Sequence, residues 1–97
     1  MPGTIPNQQA ILDVAGLIVD GVAVSEASLA GDIVEARFWA RLVADHARIQ
    51  SLPRVEAKAF ELARLLRKSH DSPLSGYARA VLDLSEELDR ALFLLRA

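Results

Sequence analysis

The first stretch of the chain is apolar in almost every direction that a helix can face. Ile11, Leu12, Val14, Ala15, Leu17, Ile18, Val19 and Val22 cover the wheel, and only Asp13 and Asp20, seven residues apart, mark a narrow polar side. The pattern predicts a helix from about Gln8 to Val24, capped by Asn7, after a loose tail over residues 1–6. A helix that is apolar all round is normally buried on most faces. Its own chain can cover it only in part, so Leu17, Ile18 and Val22 are expected to meet a second molecule.

Residues 25–31 read as an irregular or weakly helical connection. Asp32, with Glu35 three residues on, resembles a capping box and opens a second predicted helix to about Ser51. On its wheel Phe38, Trp39, Leu42, Val43 and Ile49 share one face, with Arg37, Arg41 and Arg48 opposite. Pro53 suits a first turn, and a third helix is predicted from Pro53 to Lys68 with Val55, Ala59, Leu62, Ala63 and Leu66 inward. Ser72 and Pro73 then read as cap and first position of a fourth helix. Its stripe is Tyr77, Val81, Leu84, Leu88, Ala91 and Leu95, at three- and four-residue spacing. Leu82 and Phe93 lie off that stripe and form a second apolar spot near Glu86 and Asp89.

Helices of similar length joined by short loops favour antiparallel neighbours. The expected architecture is one all-α domain over residues 7–97, an antiparallel up-and-down four-helix bundle that self-associates. A homodimer or a helical protein partner is the expected occupant of its uncovered apolar surface, with Leu17, Ile18, Val22, Leu82 and Phe93 as candidate interface residues. The alternative is a first helix that projects and docks in another subunit.

Composition narrows the function classes. The chain of 97 residues is one domain in length, 52% apolar but only 5% aromatic, so the core must be built from Ala, Val, Ile and Leu. A formal net charge of −2 without a clustered basic excess gives no footprint for nucleic acid. Cysteine is absent, which removes disulfides and thiolate chemistry and fits a reducing cytoplasm. The start of the chain lacks a signal-peptide pattern. The most apolar stretch, residues 10–24, is interrupted by Asp13 and Asp20 and is shorter than the ~20 residues of a membrane span. Only Lys58 and Lys68 among the eleven basic residues are lysine, a bias expected of a GC-rich bacterial genome.

The candidate chemistry centres on Glu35 and His46, which the wheel places on the apolar face beside Trp39 and Leu42. Polar groups there must be hydrogen-bonded, paired or bound to a metal. Eleven residues along one helix separate them by roughly 16 Å. They cannot hold one ion from a single helix, so a shared site would need another helix or a second copy.

The tract Glu35-Ala-Arg-Phe-Trp-Ala-Arg-Leu-Val-Ala-Asp-His-Ala resembles the opening helix of an uncharacterised bacterial family of ferritin-like, metal-binding helical bundles. Glu35, Phe38, Trp39, Leu42, Asp45, His46 and Ala47 match its E-x-x-FW-x-x-(I/L)-x-x-(D/E)-H-A pattern, with a weak continuation through Glu56, Phe60 and Leu65. The resemblance implies an up-and-down bundle and ligation of a transition metal (Fe, Mn or Zn) by Glu35 and His46, with Glu56 as a weaker candidate. Family members are longer chains of two bundle repeats, and their later helix bearing His and Glu has no counterpart here.

Other chemistries find little support. A phosphotransfer histidine must be exposed to its partner, whereas the wheel turns His46 inward. Asp71-Ser72 resembles a carrier-protein attachment site, but one helix follows it instead of two, and a helix cap explains Ser72. Glu56, Glu61, Glu86 and Glu87 read as ordinary surface acids, with no acid–base constellation among them.

Overall fold

The computed structural model describes residues 6–66 and 76–96. It is all-α: α1 (Pro6–Leu29), α2 (Ile33–Ile49), α3 (Pro53–Leu65) and α4 (Tyr77–Arg96). Each helix packs on two others, α1 on α2 and α4, and α3 on α2 and α4, which closes a four-helix ring around one core. The predicted cap Ser72, with Pro73 and Lys68, lies outside the described residues.

Two tight reversals set the first three helices side by side. At the end of α1 the Asp32 amide donates to Ala27 O at 2.9 Å and the Gly31 amide to Ser28 O at 3.1 Å, with Gly31 at φ 76°. This is the Schellman pattern, in which a left-handed residue turns the chain back on the last carbonyls. The end of α2 repeats it: Leu52 N–H donates to Ala47 O at 2.8 Å and Ser51 N–H to Arg48 O at 3.1 Å. Here the left-handed position is Ser51, at φ 59°. In both turns the residue that closes one helix opens the next. Asp32 Oδ1 accepts the Glu35 amide at 3.1 Å as the N-cap of α2, and Leu52 precedes Pro53 at the first turn of α3.

Helix α1 is longer than its pattern predicts. It begins at Pro6, so Asn7 lies within the helix instead of capping it. It also continues through Ser25–Leu29, where a connection is expected. Ser and Glu at 25, 26 and 28 look like loop residues, but Ala27 and Ser28 are carried into the core and tertiary burial extends the helix.

The core is aliphatic and alanine-rich. Val14, Leu17, Val24, Val43, Val55, Leu62, Leu66, Leu84 and Leu88 are buried, each burial contributing about 1.5–3 kcal/mol before entropy is counted. Helix α3 buries the residues its spacing predicts, Val55, Ala59, Leu62 and Ala63, with Leu66 just beyond its end. Helix α4 buries Ala80, Leu84 and Leu88, and leaves Leu82 and Phe93 outside, as expected.

Helix α2 is turned away from its predicted orientation. Its inward face is Ala36, Ala40, Val43, Ala44 and Ala47, while Phe38 is 57% and Ile49 73% exposed. Small side chains let a helix approach its neighbours closely, and the larger residues of α2 are left at the rim. Leu17 also needs correction as an interface residue. It is 1% exposed within a single chain and belongs to the core.

Candidate functional site

The rotation of α2 decides the fate of Glu35 and His46. Glu35 is exposed, one turn into α2, and its Oε1 accepts a 2.9 Å hydrogen bond from Trp39 Nε1. The Trp39 ring meets Phe38 edge to face at 5.4 Å between centroids. The expected inward placement of Glu35 is therefore corrected. This carboxylate orders the rim aromatics from the solvent side. His46 is half-exposed on the flank toward α1, where its Nδ1 lies 3.6 Å from Asp20 Oδ2, beyond a direct hydrogen bond. Glu56 is half-buried on α3. Among the described residues no three His, Cys, Asp or Glu side chains converge as a metal would need. Within one copy the residues that the family resemblance points to do not assemble a metal site.

The polar cluster that does form lies elsewhere, at Glu87, which the sequence pattern reads as a surface acid and the structure buries. Glu87 on α4 has a side chain only 8% exposed. Arg54 at the start of α3 grips it with two donors, Nε to Oε1 at 3.2 Å and Nη2 to Oε2 at 3.1 Å. Arg90 adds Nη1 to Oε2 at 2.7 Å. The Arg54 hydrogen bonds hold the Glu87 carboxyl below its ordinary pKa, against burial, which pushes it up; the charges of Arg54 and Arg90 add to the lowering. Both guanidiniums reach solvent, and the cluster fastens α3 to α4 beside a shallow apolar cavity of about 230 Å³ that Leu52, Val55, Ala91 and Leu94 line with it. Spacing alone could have flagged it, because Glu87 falls in step with the inward Ala80, Leu84 and Ala91.

Two surfaces carry unpartnered groups. A groove of about 490 Å³ between α2 and α3 is lined by Arg37, Arg41, Phe60 and Arg64, with Asp45 among them. Arg64 is already engaged by Glu61, whose carboxyl is held below its usual range by that hydrogen bond and by the nearby Arg64 and Lys58 charges.

The other surface is the outer side of α1. Leu12, Val19, Val22 and Leu29 are 65%, 67%, 50% and 90% exposed there, and Leu82 and Phe93 are 55% and 70% exposed on α4. Ile18 is half-buried in the groove between these helices, with Val22, Leu29, Ser85 and Asp89. Of the candidate interface residues, Ile18, Val22, Leu82 and Phe93 are thus accessible and Leu17 is not. No helix among the described residues is long and apolar enough to cross a membrane. Comparison with protein-family models, curated proteins and solved structures finds no match to this chain.

Proposed function

We propose that this chain is a protein–protein interaction module that works by associating with a second copy of itself. One observation carries the reading. The longest helix is apolar on both sides, with one side in the core and the other offering Leu12, Val19, Val22 and Leu29 to water. Single exposed apolar residues are ordinary on a protein surface, but an apolar strip that runs most of a helix, with one glutamate in it, marks a contact surface. Sedimentation velocity from about 1 to 100 µM is the test, spanning the affinities of modest interfaces. The expected result is a dimer or larger species with concentration-dependent weight. A strict monomer across that range rules the reading out.

A metal shared between copies is the second reading, supported by the approach of Asp20 to His46. A carboxylate that draws in to accept one imidazole N–H would orient the ring and leave the other nitrogen for a ligand. The remaining ligands would come from another chain. Elemental analysis of protein purified without chelators tests it. Less than one equivalent per dimer, with His46→Ala losing no more stability than the Asp20 contact explains, removes this reading.

A further inference from the structure

Helix α1 carries two heptad-like seams on opposite sides. Val14, Leu17, Gly21, Val24 and Ser28 alternate three- and four-residue steps, and all are buried in the bundle. Leu12, Ala15, Val19, Val22, Glu26 and Leu29 follow the same alternation half a turn away, and they face outward, Ala15 half-buried and the others exposed. A sustained alternation of this kind is what a helix presents to another helix across a close seam.

Resting on the self-association proposed above, we infer that the occupant of the outer seam is α1 of a second copy, running antiparallel across a two-fold axis between Val19 and Val22. The seam matches its own reverse. Turned end for end, Leu12 meets Leu29 of the other copy, Val19 meets Val22, and Glu26 meets Ala15. The only charged residue of the seam thus lies opposite its smallest, where the carboxylate can reach past a methyl group into water. A parallel pairing would set Glu26 against Glu26, and like charges in contact oppose association.

The flanks of the seam agree with this arrangement. One is Gly16, Ala23 and Ala30, and the other is Ile11, Ile18 and Ser25, with no charge on either. A two-fold axis of this kind places like flank against like flank. The small flank lets the backbones close up, and on the other flank Ile18 falls beside Ser25 of the second copy. The groove between α1 and α4 opens on the Ile18 side, so the same axis turns the outer faces of α4, with Leu82 and Phe93, toward each other. Leu12, Val19, Val22, Leu29, Leu82 and Phe93 are each at least half exposed, and together they can bury at most roughly 700 Å² per copy, so their neighbours must add the remainder of the ~800 Å² per partner of an ordinary stable interface.

The test uses the full chain and its freedom from cysteine. A nitroxide on Gln9→Cys, read by double electron–electron resonance, should give an intermolecular distance near 35 Å, because position 9 pairs axially with position 32 of the other copy, about 23 residues away at 1.5 Å each. Val19→Glu should weaken the dimer at least 100-fold while leaving helicity and thermal unfolding of the monomer in place, since Val19 touches no core. Glu26→Leu should tighten it about tenfold or more. A label distance below about 20 Å, or a dimer that survives Val19→Glu, overturns the antiparallel α1 seam while self-association stands through another face. A monomer at every concentration overturns both.

Discussion

Replacing Glu87 by glutamine isolates the charge of the one buried carboxylate among the described residues with little change in shape. The carboxylate receives three hydrogen bonds, two from Arg54 and one from Arg90. A bond to a charged group contributes about 1.5–3 kcal/mol where it is sheltered. The acceptor is sheltered but the donors are not, since the Arg54 and Arg90 side chains are 73% and 51% exposed, and solvent discounts each bond toward the surface value. Glutamine also keeps one acceptor oxygen and turns an amide toward a guanidinium, donor against donor. The expected loss at pH 7 is about 2 kcal/mol, or roughly 8–16 °C in midpoint for a domain of this size.

The pH dependence gives the sharper check. Folding lowers the Glu87 pKa, so its contribution is complete above the unfolded carboxyl value near ~4.3 and is lost as pH falls through the folded value. Urea unfolding followed by circular dichroism from pH 7 to pH 2 should show the parent and Glu87→Gln curves apart at neutral pH and converging in acid. A gap under about 0.5 kcal/mol at pH 7 would mean that the cluster is ornamental. A gap of about 2 kcal/mol that persists unchanged to the acid end would mean that the loss is steric, and the charge argument would fail.

Two further outcomes follow from the backbone. The paired Schellman turns predict opposite signs for opposite exchanges. Ser51→Gly should stabilise by about 0.5–1 kcal/mol by relieving a left-handed Cβ, whereas Gly31→Ala should destabilise by a similar amount with no clash involved, since nothing lies within 4 Å of the added Cβ; thermal midpoints moving in the same direction would reject the shared geometry. Gly16 sits in mid-helix in open space, and Gly16→Ala should add about 0.8–1 kcal/mol by helix propensity alone. It is best measured by urea unfolding in the Val19→Glu background, where no association contributes; a null or negative change there would show that α1 is not helical at that point in solution.

What the sequence made legible was set by where bulky residues fall. Helices α3 and α4 repeat large aliphatics at three- and four-residue spacing along one side, so Leu62 and Leu66, or Leu84 and Leu88, read inward despite outliers such as Leu82. On α2 the same habit misleads. A wheel weighs Phe38, Trp39 and Ile49 above Ala36, Ala40 and Ala47, yet close approach favours the alanines and puts the larger residues at the rim. The same weighting carries Glu35 and His46 to the interior on the wheel, because their placement follows that of the aromatic face. Glu87 was missed for the converse reason: its position was inward, but an acidic residue next to Glu86 reads as surface until Arg54, 33 residues away, is known to reach it.

Helix α1 is the instructive case, since hydrophobicity alone cannot say which of its two seams belongs to the core. The small and polar residues decide. Gly21 on the inner seam lets Leu88 come so close that a Cβ at position 21 would stand 2.7 Å from Leu88 Cδ1, a fit that the outer seam, with Val19 and Val22 at its centre, does not provide. Glu26 on the outer seam has no cation on its own helix, which holds Asp13 and Asp20 as its other charges. Turned into the core it would have to be desolvated and find a cation on another helix, as Glu87 does in Arg54, a cost that Gly21 and Ser28 on the inner seam do not carry. The glutamate therefore biases its seam outward, and so leaves Leu12, Val19, Val22 and Leu29 uncovered in a single chain. One residue thus favours the rotation of α1 seen in the single chain and, in the antiparallel pairing proposed above, is the one whose need for a small neighbour and open water calls for Ala15 opposite it.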